Sequence, residues 1–280
     1  MFRDMILASC KAWYLSDDCR IKEMISYIQI QNRMRDAQIE AIQMYLFLKI
    51  AGDNKPLSAL FSEGFFNQLN LDDIELRPKT YVFLKENPAA AALFEFSEKY
   101  CDDRKLAAAL SKTIREDPES IDYKAFFDEE FGGTTYTDYV FSLPMGAGKT
   151  YLMAAFIYLD LYFASVDPKN PAFAHNFIIL APSGLKSSIM PSLRTIERFD
   201  PSWIMDRTAA ERVRHMITFD TLDQAASASK SNKAKNPNAR KVAMHLGDGD
   251  AMGLVLVTNA EKVILDKYKD SAQQLNVDMD

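Results

Sequence analysis

Between Val140 and Thr150 the chain reads Val-Phe-Ser-Leu-Pro-Met-Gly-Ala-Gly-Lys-Thr, and a long helical pattern follows over Tyr151–Ala164. An apolar run, a turn holding two glycines one residue apart and then a helix leave few backbone solutions. Gly146 and Gly148 can take angles closed to other residues, and they leave no Cβ between the loop amides and a ligand. The N–H groups of the loop and first helical turn then converge on an anion, aided by the helix dipole. Lys149 would add a cation for the β- and γ-phosphates, and the Thr150 hydroxyl a ligand for Mg²⁺. The strict P-loop pattern has a further glycine at the loop's start, where this chain has Leu143. The spacing predicts a strand over Tyr139–Leu143, a helix from Lys149 to Ala164, and a nucleotide site built from Met145, Gly146, Ala147, Gly148, Lys149, Thr150 and Tyr151.

From 136 onward, strand and helix patterns alternate. Asn176–Ala181 is a continuous apolar run of the buried parallel kind, and Met216–Phe219 and Gly253–Val257 are further strands. Helical patterns cover Pro191–Phe199, Ala209–His215 and Ala260–Lys269, with a short one at Leu222–Ala226; residues 227–241 are polar, basic and loop-like. Such alternation implies an α/β domain with a parallel sheet covered on both faces. Before 136 the texture is helical. Two apolar series fill residues 17–50, and three helices are expected at Ala89–Tyr100, Arg104–Ile114 and Ser120–Phe131. At most one short strand fits this stretch, near Tyr81–Leu84, and Gly132-Gly133 ends the pattern. The expected division is 1–50, 51–135 and 136–280.

Composition narrows the class. Three cysteines without short paired spacing suggest neither a disulfide framework nor a zinc site, so a reducing, cytoplasmic setting fits. His175, His215 and His245 are scattered. No apolar run approaches the length of a membrane span, and Met153–Ala164 is better read as the helix behind the loop. The start of the chain has charges on both sides of its short apolar stretch, unlike a secretory signal. Net charge is −6, and it is unevenly placed: residues 52–135 hold 17 Asp and Glu against 10 Lys and Arg. The remainder is close to neutral, which leaves room for locally basic grooves.

Three further segments group around the loop. Arg33–Ile42, Arg-Met-Arg-Asp-Ala-Gln-Ile-Glu-Ala-Ile, resembles the Leu-Arg-x-x-Gln-x-x-Ala-Ile element that precedes the P-loop in superfamily 2 helicases. There the glutamine reads the adenine edge; Gln38 and Arg35 hold the matching positions. An amphipathic helix with its polar residues outward is the plainer account. Ile178–Leu193 is similar to helicase motif Ia, which implies backbone contacts from Ser183, Lys186 and Ser187. An ordinary βα turn would also produce that pattern. Leu254–Ile264 resembles the Thr-Asn-x-x-Lys turn of type III restriction helicase subunits, placing Thr258, Asn259 and Lys262 against nucleic acid. A helix capped by Thr258 or Asn259 is the competing reading.

Together the motifs resemble the first half of a superfamily 2 DEAD/DEAH-type or type III restriction (Res) motor. The resemblance implies a RecA-like P-loop domain, with a parallel sheet flanked by helices, plus an inserted helical module. It also implies ATP and Mg²⁺ as cofactors, nucleic acid (DNA before RNA) as partner, and a helicase or translocase function in restriction or phage defence. A second RecA-like domain would lie in a longer chain or a partner subunit. The distance from Gln38 to Lys149 exceeds the family's usual spacing, so 51–135 reads as an insertion whose acidic face could dock a protein partner. The Asp-Glu pair that such motors use for Mg²⁺ and water is not found: Asp160 lies in the helix after the loop, and Asp266 is followed by Lys267. The chain therefore resembles the N-terminal portion of such a protein. A P-loop scaffold that binds nucleotide without hydrolysing it is the alternative, and a small-molecule kinase ranks last.

Overall fold

The computed structural model describes residues 2–181, 193–222 and 252–259. Within them the fold is mixed α/β: mostly helical, with one three-stranded parallel sheet. Two compact units emerge, one of residues 1–26 and 39–144, the other of residues 27–38 and 145–280. Residues 27–38 thus group with the loop, far along the sequence, although 1–50 was expected to form one segment.

Up to residue 166 the α-helices are α1 (Arg3–Leu15), α2 (Lys22–Gln31), α3 (Asp36–Ile50), α4 (Leu57–Ser62), α5 (Pro78–Glu86), α6 (Pro88–Glu95), α7 (Arg104–Glu116), α8 (Tyr123–Glu130) and α9 (Lys149–Val166). Short polar side chains start several of them. Asp103 accepts from the Lys105 and Leu106 amides at the head of α7, and Asp122 accepts from Ala125 at the head of α8. The first unit is organised around α6. Pro88 sits at its first position, Asn87 caps the Ala90 amide, and its four alanines are buried, which lets neighbours approach closely. Phe2, Phe61, Phe66, Phe96 and Phe127 pack together, with the Phe61 and Phe66 rings 4.6 Å apart and those of Phe2 and Phe96 4.1 Å apart. Each such ring contributes on the order of 2 kcal/mol through burial. Glu95, fully buried, accepts from the Gln68 and Leu69 amides (2.6 and 3.1 Å) and from Lys99. That pairing is what makes a buried carboxylate tolerable.

Neither the strand allowed at Tyr81–Leu84 nor the one expected at Tyr139–Leu143 forms. Tyr81–Leu84 lies within α5, because Pro78 presets the first turn and Thr80 and Leu84, four residues apart, share the buried face. Tyr139–Leu143 forms no strand either. Side chains in and just before it are committed elsewhere in its own unit: the Tyr139 hydroxyl donates to the Lys55 carbonyl at 2.8 Å, Thr137 donates to Asn54, and Phe141 meets the Tyr45 ring. Val140 is left 87% exposed.

In the second unit β1 (Phe177–Ala181), β2 (Thr218–Leu222) and β3 (Leu254–Asn259) are all parallel, in the order β1-β3-β2. β3 is central, and Val255, Leu256 and Val257 are buried on both faces. On β1, Ile178 is 64% and Leu180 55% exposed while Ile179 packs inward. Among the described residues β1 has a strand neighbour on one side only. Gly253 immediately precedes β3 with φ +95°; its N–H donates to the His175 carbonyl and its own carbonyl accepts from Thr218. The expected helix at Ala209–His215 spans Arg207–Met216, and residues 193–197 are helical. The helix expected at Ala260–Lys269, all but the first residue of the short helix at Leu222–Ala226, and the loop 227–241 lie outside the described residues.

Candidate functional site

The glycine turn and the helix start after it are as expected, without the strand expected before them. Met145 and Gly146 make a turn, Gly146 and Gly148 both have positive φ (+78° and +80°), and α9 begins at Lys149. Gly148 is the N-cap and has no side chain to offer, so no side-chain cap occupies the first-turn N–H groups of α9. Met145 and Lys149 are exposed, Thr150 is half-buried and Ala147 is buried.

The turn is held from outside by the Arg35–Gln38 segment. The Arg35 guanidinium donates to the Gly146 carbonyl, and the Gln38 side-chain amide donates to the Gly148 carbonyl at 2.8 Å. Carbonyl and N–H of one trans peptide point in opposite directions. Fixing the Gly146 and Gly148 carbonyls towards residues 35 and 38 therefore aims the Ala147 and Lys149 N–H groups away from them, together with the head of α9. Two amides and the positive end of the α9 dipole thus share that side.

Gln38 has a second task. Arg35 is the N-cap of α3 and Gln38 its third residue; the Arg35 N–H donates to Gln38 Oε1 at 2.8 Å, half of a capping box. Gln38 is only 3% exposed, so it does not lie on an outward polar face, and both ends of its amide are engaged by protein. One amide proton and one lone pair of Gln38 remain, but at 3% exposure they have almost no surface from which to read an adenine edge.

An aromatic ladder adjoins the turn. Tyr151 stacks on Trp203 with centroids 5.8 Å apart and planes at 15°, Phe199 meets Trp203 edge-on at 5.4 Å, and Tyr158 stacks on Phe199 at 5.6 Å. Trp203 is held by the 3-10 turn Pro201–Trp203, whose Ser202 amide donates to Asp200 and whose Ser202 carbonyl accepts from Tyr27 at 2.8 Å. Asp200 also accepts from Arg214 at 2.9 Å. Partial burial works against its charge, but the hydrogen bonds from Ser202 and the Arg214 guanidinium prevail and hold it below the usual carboxylate range. Burial raises the Tyr158 phenol. Sequence reasoning missed Trp203, which lies 52 residues beyond Tyr151 in an unremarked Asp-Pro-Ser-Trp stretch.

The remaining candidates divide. Thr258 and Asn259 end β3, with Asn259 in register with Ala181 at the end of β1. Both strand ends thus lie at the carboxyl end of the sheet, where open α/β sheets bind ligands. Ser183, Lys186, Ser187 and Lys262 lie outside the described residues. Asp160 is buried in α9 and accepts from the Ala174 amide at 3.0 Å, which fixes the turn before β1. Among the described residues no group of three or more His, Cys, Asp and Glu gathers to hold a metal ion, and no helix is long and apolar enough to cross a membrane. No protein-family profile matches the chain, and neither the curated proteins nor the solved structures contain a match to it.

Proposed function

We propose that residues 145–150 bind the phosphate chain of a nucleoside triphosphate, and that the chain is the ATP-binding portion of a RecA-like motor acting on nucleic acid. One observation carries the reading: Arg35 and Gln38 tie down the Gly146 and Gly148 carbonyls, leaving the opposed amides and Lys149 at the head of α9. The same two residues form the element that resembles the helicase glutamine motif, so the resemblance and the geometry meet at one place. The Ala147 and Lys149 amides would hold the phosphates, Lys149 would offset their charge, and the Thr150 hydroxyl would ligate Mg²⁺. A triphosphate with Mg²⁺ would supply the driving reaction; this chain's residues bind and orient it. Thr258 and Asn259, with Ser183, Lys186, Ser187 and Lys262, would face the nucleic acid.

The test is nucleotide binding and ATPase activity, with and without single- and double-stranded DNA and RNA. Lys149→Ala should abolish binding of ATP. Undiminished binding in that variant rejects the reading. Binding without turnover in any condition selects the non-hydrolysing scaffold.

A further inference from the structure

Gln38, Gly148 and Tyr151 meet at one point of the turn. A Cβ built on Gly148 would lie 2.6 Å from Gln38 Nε2 and 3.9 Å from Tyr151 Cδ2. Of the two side chains, only Tyr151 has a surface to offer. Gln38 is buried with its amide occupied at both ends, whereas Tyr151 is 41% exposed and its ring is already oriented by Trp203. Trp203 is oriented in turn by the buried Phe199 and by the capped turn that carries it. A planar ligand could extend this ladder without breaking any hydrogen bond.

We propose that Tyr151 and Trp203 are the stacking platform for the base of the nucleotide, which this site selects as a purine by its face and ring area. The proposal rests on the phosphate-binding reading of the turn and adds what lies at the far end of the ligand. Every base has a π-face, so stacking is tolerant of base identity and favours larger ring systems. ATP and GTP should therefore bind alike, and UTP and CTP more weakly. An edge read by the Gln38 amide would instead separate ATP from GTP.

The chain holds two tryptophans, Trp13 and Trp203. A Trp13→Phe background makes Trp203 the sole indole reporter. Titration with Mg²⁺ and ATP, GTP, UTP or inorganic tripolyphosphate should give saturable quenching by ATP and GTP at similar concentrations. Tripolyphosphate should compete with ATP without quenching. Trp203→Leu should weaken ATP on the order of tenfold and leave tripolyphosphate affinity unchanged, which also shows that the variant is folded; Trp203→Phe should recover most of the loss. ATP bound in a Lys149-dependent way with no change in Trp203 emission, or with equal affinity in Trp203→Leu, overturns the platform alone. An ATP preference of tenfold or more over GTP also overturns it. Absence of binding by both ATP and tripolyphosphate overturns the phosphate-binding reading, and the platform with it.

Discussion

The Gln38 side-chain amide donates to the Gly148 carbonyl at 2.8 Å, joining residues 110 positions apart. That carbonyl shares its peptide plane with the Lys149 N–H, and it also accepts the Leu152 amide of α9. One glutamine thus caps α3, braces the turn and sets the direction of a loop amide. Its three effects can be separated by substitution.

Gln38→Glu keeps an acceptor for the Arg35 N–H but cannot donate to Gly148, and it places a negative charge beside the anion site. We expect thermal stability to fall by about 1 kcal/mol and triphosphate binding to fall much further. Gln38→Ala should cost about as much stability with a smaller loss of binding. Parent-like triphosphate affinity in Gln38→Glu would show that the brace is not needed to orient the turn.

Gly146→Ala and Gly148→Ala should differ. Both positions have positive φ, so each substitution incurs about 1 kcal/mol of backbone strain. At Gly146 an added Cβ meets nothing within 4 Å, whereas at Gly148 it runs into the Gln38 amide. The second variant should therefore be the less stable and should lose the Gln38 brace. Urea midpoints in the opposite order would contradict the geometry.

Gly253→Ala should be more severe. At φ +95° a Cβ would sit 2.2 Å from the Met216 carbonyl oxygen, a backbone atom that cannot swing aside. The backbone bonds to His175 and Thr218 fix the residue immediately before the central strand. A loss of more than about 3 kcal/mol is expected, read by chemical denaturation with β-sheet circular dichroism.

Asp200 links the aromatic ladder to pH. Its folded-state pKa is depressed, so its contribution is complete above the unfolded value near 4 and is lost as pH falls through the lower folded value. Stability should drop between about pH 5 and pH 3, with Trp203 emission reporting the change in a Trp13→Phe background. Asp200→Asn has no carboxylate to protonate, so its urea midpoint should change less over that window. An unchanged pH profile in the variant would assign the acid sensitivity elsewhere.

The thiols should react unequally. Burial pushes Cys10 up to about 12, and Cys10 and Cys19 are both buried while Cys101 is partly exposed. At pH 8 an aromatic disulfide reagent should titrate one thiol quickly in the native protein and all three after unfolding. Rapid reaction of three native thiols would mean that the α1 region opens readily.

Local signals carried what local physics governs. The glycine spacing placed the two positive-φ residues and the start of α9, the helical patterns at Arg104–Ile114 and Ser120–Phe131 fell on α7 and α8, and the apolar runs near 177, 218 and 254 became the three strands. These features depend on backbone angles, caps and side-chain periodicity within a few residues, so they are written in the chain itself. Tertiary structure decided the rest. Tyr139–Leu143 has strand-like residues, yet Lys55, Asn54 and Tyr45 hold its neighbourhood in place of a sheet partner. Gln38 could have faced solvent, and Trp203 could have packed anywhere; their roles follow from bonds and ring contacts to Gly148 and Tyr151, far away in sequence. A short segment encodes what it can pair with, but only the folded chain brings a particular partner within hydrogen-bond or stacking distance.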